Sequence, residues 1–161
     1  MENKLVVLLL GSNMGDSIAC LKTAINGIEQ RLAPLVVSSS IYKTAAWGKT
    51  NQADFYNQVV TFNSTLEAEK ILEICLDIEK QMGRERIEKW AERVIDIDIL
   101  FYRNEIIDSP NLKVPHPYLH VRKFTLVPLN EILPSLIHPT FNKTIDNLLA
   151  NCSDASKVEK M

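Results

Sequence analysis

The stretch Val94–Tyr102, VIDIDILFY, constrains the fold most, because Ile95, Ile97 and Ile99 alternate with Asp96 and Asp98. A period of two belongs to a β-strand, whose successive side chains point to opposite faces. One face therefore enters a core, and the other carries two carboxylates one pleat apart. Like charges at that spacing repel, and aspartate is depleted in strands, so the pair is expected to meet something positive. The plainer reading is a solvent-facing strand that is merely acidic. Against it, Val94 and Leu100 flank the pair on the same face. Hard oxygen ligands so placed suit magnesium, which takes a few carboxylates and completes its shell with phosphate and water.

Just upstream stand Arg84, Arg86 and Arg93, with Trp90 among them. Arginine's planar fork takes two phosphate oxygens at once. A charged helical surface with Glu85 paired to Lys89 is the alternative. Gly83 interrupts such a helix, however, and Glu88 and Glu92 would repel at the same spacing. Carboxylates for a cation beside arginines for an anion is the chemistry of nucleotide handling.

The remaining elements follow from periodicity. Leu5–Leu10 is a continuous apolar run that predicts a buried strand, closed by Gly11. Ile18, Leu21, Ile25, Ile28 and Leu32 predict a helix from about Ser17, ended by Pro34. Leu35–Thr44 predicts a second strand, and Ala45–Asp54 lacks a period and predicts a loop. Phe55–Phe62 predicts a third strand, with Phe55, Asn57 and Val59 on one face. Ser64 followed by Glu67 has the spacing of a capping box and predicts the start of a second helix. Its stripe is Ala68, Ile71, Leu72, Cys75, Ile78 and Met82, and Gly83 is the expected cap. After a turn at Arg103-Asn104-Glu105, a short pairing through Ile106 and Ile107 is expected. Prolines then recur from Pro110, so only short helices are expected between them, Thr144–Ala150 being the last. The order strand, helix, strand, strand, helix, strand predicts an α+β fold: a ferredoxin-like antiparallel sheet with helices packed on one face. The other face would be free for a ligand.

One domain over residues 1–161 is expected from the length, with the polar tail Ser153–Met161 frayed. A net charge of −2 offers no global basic field for nucleic acid or an anionic membrane, so any phosphate site must be local. The longest apolar run is too short to span a bilayer, and no secretory signal is legible. Cys20, Cys75 and Cys152 have no metal-ligand spacing, and free thiols in a reducing cytoplasm are expected.

Other candidates carry weaker signals. Glu79 falls inside the apolar stripe of the second helix, so it needs either a partner, such as a loop arginine, or an outlet to water. His116 is held between Pro115 and Pro117 and is either structural or a phosphate donor. Phe55 with Asn57, and Arg122 with Phe124, suit a flat heterocycle with polar edges, although aromatics on strands are usually core. Gly11–Asp16 lacks the ending of a phosphate-binding P-loop and reads as a turn with a helix start.

Taken in order, these residues resemble the 6-hydroxymethyl-7,8-dihydropterin pyrophosphokinase family of folate biosynthesis, over roughly Leu5–Pro139. The matching residues are Gly11-Ser12-Asn13, Tyr42-Lys43-Thr44, Asp54-Phe55-Tyr56-Asn57, Glu79, Gly83-Arg84-Glu85-Arg86, Trp90, Arg93, Asp96-Ile97-Asp98-Ile99, Val114-Pro115-His116-Pro117 and Arg122-Lys123-Phe124. The resemblance implies transfer of the terminal diphosphate of ATP to the hydroxymethyl group of the pterin, releasing AMP. It implies that Asp96 and Asp98 hold two magnesium ions and that Arg84 and Arg93 steady charge on the phosphates. Arg86, Trp90, His116, Arg122 and Glu79 would serve ATP. Phe55 and Phe124 would stack the pterin, Asn57 would read its edge, and Thr44, Ala45, Trp47 and Asp96 would complete its pocket. Such an enzyme is expected to be a cytoplasmic monomer without nucleic-acid or membrane partners.

Three departures from the family's pattern stand out. Ala45-Ala46 stand where two prolines are common, Ala91-Glu92 where Gly-Pro is common, and Phe55 where a tyrosine is usual. The rival readings are a nucleotidyltransferase, which would attach AMP and release diphosphate, and a ferredoxin-like binding module without catalysis.

Overall fold

The computed structural model describes residues 4–45, 53–83 and 94–161. The expectations for Trp47, Arg84, Arg86, Trp90 and Arg93 lie outside the described residues.

The centre of the fold is β1 (Lys4–Ser12), fully buried from Val6 to Ser12. It runs antiparallel to β4 (Phe55–Ser64) on one side and to β5 (Asp96–Tyr102) on the other. The full order across the sheet is β5-β1-β4-β3-β8, with β2 (Leu35–Ser38) also on β4. β3 is Tyr42–Thr44 and β8 is Val158–Lys160. If β2 and β3 are taken as one interrupted strand, this is the split βαβ order the periodicity predicts. A separate two-stranded ribbon joins β6 (Ile107–Asp108) to β7 (Lys113–Val114).

Helices α1 (Ser17–Arg31) and α2 (Ala68–Met82) cover one face. Gly15 turns the chain at φ +66, a conformation that costs other residues more. Asp16 then caps α1 by accepting the Ala19 N–H at 3.1 Å. Leu21, Ala24 and Ile28 of α1 pack with Ile71, Cys75 and Ile78 of α2 against Val6, Leu8, Leu10, Ile97 and Ile99. Ile18 of the predicted stripe stays exposed.

Four expectations are corrected. The opposite face of the sheet is not left open. Helices α3 (Lys123–Ile132) and α4 (Ile145–Ala150) bury Leu126, Leu129, Ile145 and Leu148 against Val7, Leu9, Val59, Leu100 and Phe101. Pro128 does not stop α3. It lies buried inside the helix, and the apolar contacts of α3 offset the missing donor. The capping box does not form: Ser64 ends β4, its Oγ accepts the Leu66 N–H, and Glu67 caps α2 without a side-chain bond. The tail does not fray as expected, since Val158–Lys160 pair with β3. Gly83 does end α2, giving its N–H to the Glu79 carbonyl.

The predicted strand Leu35–Thr44 is divided by Ser39. Its backbone N–H donates to the Val59 carbonyl at 2.8 Å, while its hydroxyl accepts the Val59 N–H at 2.9 Å. Gln58 Nε2 donates to the Ser39 carbonyl at 3.0 Å. Side chains thus carry the ladder across the gap between β2 and β3. Ser39→Ala would leave the buried Val59 N–H without an acceptor. Urea unfolding of that variant is expected to show a loss of about 1–3 kcal/mol, with the protein still folded.

Candidate active site

The register of β1 assembles the site. Gly11 pairs with Asp96 of β5 on one side and with Asn57 of β4 on the other. Leu9 pairs in the same way with Asp98 and Val59. These side chains point away from α1 and α2, towards the layer that holds α3. A bulge where Val7 pairs Phe101 and Leu8 pairs Ile99 leaves Leu100 opposite no partner. Leu100 and Phe101 therefore both enter the α3 side core, while Asp96 and Asp98 keep the same face further along.

Beyond the end of that core lies a cavity of about 830 Å³. Asp96 and Asp98 line it together with Thr44, Ala45, Phe55, Asn57, Arg122 and Phe124. The structure thus brings together the acidic pair of one strand, the aromatic–amide pair of another and the start of α3. A β-carbon on Gly11 would sit 2.7 Å from Asn57 Oδ1. The missing side chain is what lets the amide lie across β1. Thr44 Oγ1 is buried and makes no hydrogen bond among the described residues, leaving a donor and acceptor for a ligand.

Arg122 is fixed by two rings: its guanidinium lies 5.1 Å from the centroid of Tyr118 and 5.6 Å from that of Phe124. His116 does not line the cavity but is tied to the same segment. Its backbone N–H donates to the Leu100 carbonyl of β5, and its Nδ1 accepts the Tyr118 N–H at 3.2 Å. An accepting Nδ1 places the proton of the neutral ring on Nε2. Burial, and then the Arg122 charge, push its pKa down to about 4, so the ring is neutral at pH 7.

Glu79 does not line the cavity either. β5 is the outermost strand at its end of the sheet, and Glu79 Oε2 accepts the Ile97 N–H there at 2.6 Å. The carboxylate of α2 thus grips the backbone between the two aspartates. The buried Cys75 thiol, one helical turn earlier, is pushed up to about 12 by burial and then by the charges of Glu79 and Asp98. Among the described residues no group of three or more His, Cys, Asp or Glu is gathered for a metal ion. Two carboxylates on one strand face fit magnesium, which needs few protein ligands when phosphate and water complete its shell.

Several lining residues were not anticipated. Gly11 reads in sequence as the end of a strand, though a glycine inside one does mark close approach. Ser153, Asp154, Ala155 and Ser156 also line the cavity, and no sequence pattern marks them. Cys20, Cys75 and Cys152 are free thiols, as expected. Among the described residues no helix is long and apolar enough to cross a membrane.

Residues 7–134 match the family model described as 7,8-dihydro-6-hydroxymethylpterin-pyrophosphokinase. The chain is 42% identical over 140 residues to a 2-amino-4-hydroxy-6-hydroxymethyldihydropteridine pyrophosphokinase of Aquifex aeolicus, covering 87% of each. It is 39% identical to the protein of that name from Methylorubrum extorquens, covering 94% of this chain and 95% of the relative. Among solved structures, Plasmodium falciparum HPPK-DHPS superposes with a TM-score of 0.78 at 20% identity, over 92% of this chain. The chain spans 45% of that protein's length, and the likeness there is one of fold.

The histidines set an acid limit on stability. His138 is pushed down to about 4 by burial and then by His120, as His116 is by burial and Arg122. The unfolded chain has the ordinary histidine value near 6.5, so it binds protons that the folded chain does not between about pH 6.5 and 4. The stability contributed by the neutral rings is complete above pH 6.5 and is lost as the pH falls through that window. The urea midpoint is expected to drop between pH 7 and pH 5, and to drop less in His138→Asn, which does not titrate.

Proposed function

The chain belongs to the 7,8-dihydro-6-hydroxymethylpterin-pyrophosphokinase family, and from that premise we propose how its residues divide the reaction. The enzyme is a diphosphotransferase of folate biosynthesis. It moves the diphosphate of ATP to the hydroxymethyl group of 6-hydroxymethyl-7,8-dihydropterin and releases AMP. The observation that carries the assignment of roles is the single cavity over which Asp96 and Asp98 face Phe55, Asn57 and Phe124.

The pterin lies between the rings of Phe55 and Phe124, a flat arrangement that aromatic side chains favour. Asn57 reads its polar edge, helped by Thr44 and Ala45, with Trp47 completing the pocket on the family's pattern. The bare backbone at Gly11 supports this reading, because it lets the Asn57 amide reach across the floor. Asp96 and Asp98 would hold two magnesium ions. Bound there, magnesium would neutralise triphosphate charge and align it for in-line transfer.

Arg122 is pre-set by its two rings and supplies fixed positive charge to ATP at little entropic cost. His116, neutral with Nε2–H free to donate, adds a hydrogen bond that does not depend on pH near neutrality. Arg84 and Arg93 stabilise the charge that develops as the bond to the leaving AMP breaks, and Arg86 and Trp90 hold the nucleotide. These four roles rest on the family's pattern. Glu79 serves ATP indirectly, by anchoring β5 between the metal-binding carboxylates. We take residues 1–161 to form one domain and the enzyme to be a cytoplasmic monomer. The charge of −2 supports the absence of a nucleic-acid partner.

The deciding experiment is incubation with ATP, magnesium and the hydroxymethyl pterin, followed by product identification. AMP and a diphosphorylated pterin are expected; an adenylated pterin with free diphosphate would favour the nucleotidyltransferase instead. Asp98→Ala should lower magnesium-dependent turnover by about a hundredfold or more. Loss of a residue that merely supports a metal ligand already costs about 10- to 100-fold. Circular dichroism should be unchanged, because Asp98 faces the cavity and not the core. Full turnover in that variant would leave the pair as an ordinary acidic strand.

A further inference from the structure

We infer that Asp154 is a positioning residue for this site, holding the start of α3 and making the segment Ser153–Ser156 a wall of the pterin pocket. The inference rests on the reading that the pterin occupies the cavity.

It begins with an incomplete helix. The first N–H groups of a helix lack partners within it, and a side chain just before the helix usually supplies one. The residue in that position for α3 is Arg122, whose backbone is extended and whose side chain makes no cap bond. The acceptor comes instead from the far end of the chain. Asp154 Oδ2 accepts the Lys123 N–H at 2.9 Å, across 31 residues of sequence. Its other oxygen, Oδ1, accepts the Ser156 N–H at 2.9 Å and the Ser156 hydroxyl at 2.6 Å. Burial pushes the Asp154 pKa up, but the bonds from Ser156 and Lys123 outweigh it, and the carboxyl is held below its ordinary value. The residue is an anion with both oxygens engaged.

Lys123 is flanked by Arg122 and Phe124, and both of those line the cavity. Fixing the Lys123 backbone fixes the origin of both side chains. Beyond Ser156 the chain pairs with β3, Thr44 standing opposite Val158, and Thr44 lines the same cavity. The tail is thus a strap running from α3 to the strand that faces Phe55. It is anchored by a carboxylate at one end and a strand at the other.

The wall also bears on which ligand meets it. Ser153, Asp154, Ala155 and Ser156 bring a negative charge and no positive one. Phosphate would be repelled there, whereas a neutral heterocycle with N–H groups would not. The pterin end of the cavity is the end this wall encloses.

The test uses the full chain, with Asp154→Ala and Asp154→Asn. Asp154→Ala is expected to raise the KM for the pterin about tenfold, within what loss of a helix cap can cost. The KM for ATP should rise as well but by less, because Arg122 keeps its contact with the Tyr118 ring. Asp154→Asn keeps an oxygen for the Lys123 N–H and should recover most of the pterin KM. Hydrogen exchange in the protein without substrates supplies a reading independent of activity: the amides of residues 123–126 should exchange faster in Asp154→Ala. Unchanged exchange there, or a wild-type pterin KM accompanied only by a lower melting temperature, would overturn the inference. A wild-type protein that binds no pterin would sink the functional reading and the wall with it. Faster exchange at 123–126 would still show that Asp154 holds α3.

Discussion

Everything in the site depends on the register of β1 between its two antiparallel partners. Side chains alternate across a strand, so a slip of one residue would send Asp96 and Asp98 into the apolar layer and Ile97 into the cavity. The apolar face prevents that slip. Val6, Leu8 and Leu10 meet Ile97, Ile99, Val60 and Phe62 in one core, and each is almost fully buried. Burying such side chains is worth about 1.5–3 kcal/mol each, far more than the repulsion between two carboxylates one pleat apart. The core therefore sets where the chemistry stands. The bulge at Leu100 adds the second requirement, because it ends the polar face and begins the α3 side core on the same strand.

The second face of the sheet is shared between packing and chemistry, and α3 marks the division. Its apolar side closes over Val7, Leu9 and Val59, while its first residues stand at the cavity. Near its other end Glu131 accepts hydrogen bonds from the Ser40 N–H, the Ser40 hydroxyl and the Tyr42 hydroxyl, the last at 2.6 Å. These bonds join α3 to the gap between β2 and β3 that Ser39 creates. The helix that carries Phe124 is thus tied to the strand that carries Thr44, and two sides of one pocket cannot move independently.

What the sequence made legible was local. The alternation at Ile95–Ile99 marks β5 and its acidic face, and the stripe through Leu21 and Ile28 marks α1, because both patterns repeat within a few residues. Bonds made across long separations leave no such trace. Asp154 capping α3 and Glu79 gripping Ile97 are contacts made across 31 and 18 residues of sequence. Ser64 and Glu67 show the converse case. Their spacing is right for a capping box, but strand pairing with Lys4 keeps Ser64 in β4, and tertiary pairing overrides the local signal. Pro128 is likewise overruled by the core around it.

The same geometry decides how a chain of net charge −2 can accept a polyphosphate. The start of a helix beside a cavity is ordinarily a ready anion site, since its N–H groups and dipole both favour negative charge. In this protein the start of α3 is already occupied by the carboxylate of Asp154. Phosphate must then rely on side chains and not on the helix start, and the lining of the same cavity also presents Asp96 and Asp98. Two carboxylates cannot attract a polyanion by themselves; they would do so only through cations held between them and the phosphates. Arg122, held between its rings, and a neutral His116 add donors without adding a carboxylate. The N–H at the start of α3 is spent on Asp154, and the strand that carries Asp96 and Asp98 is left to line the cavity with its carboxylates.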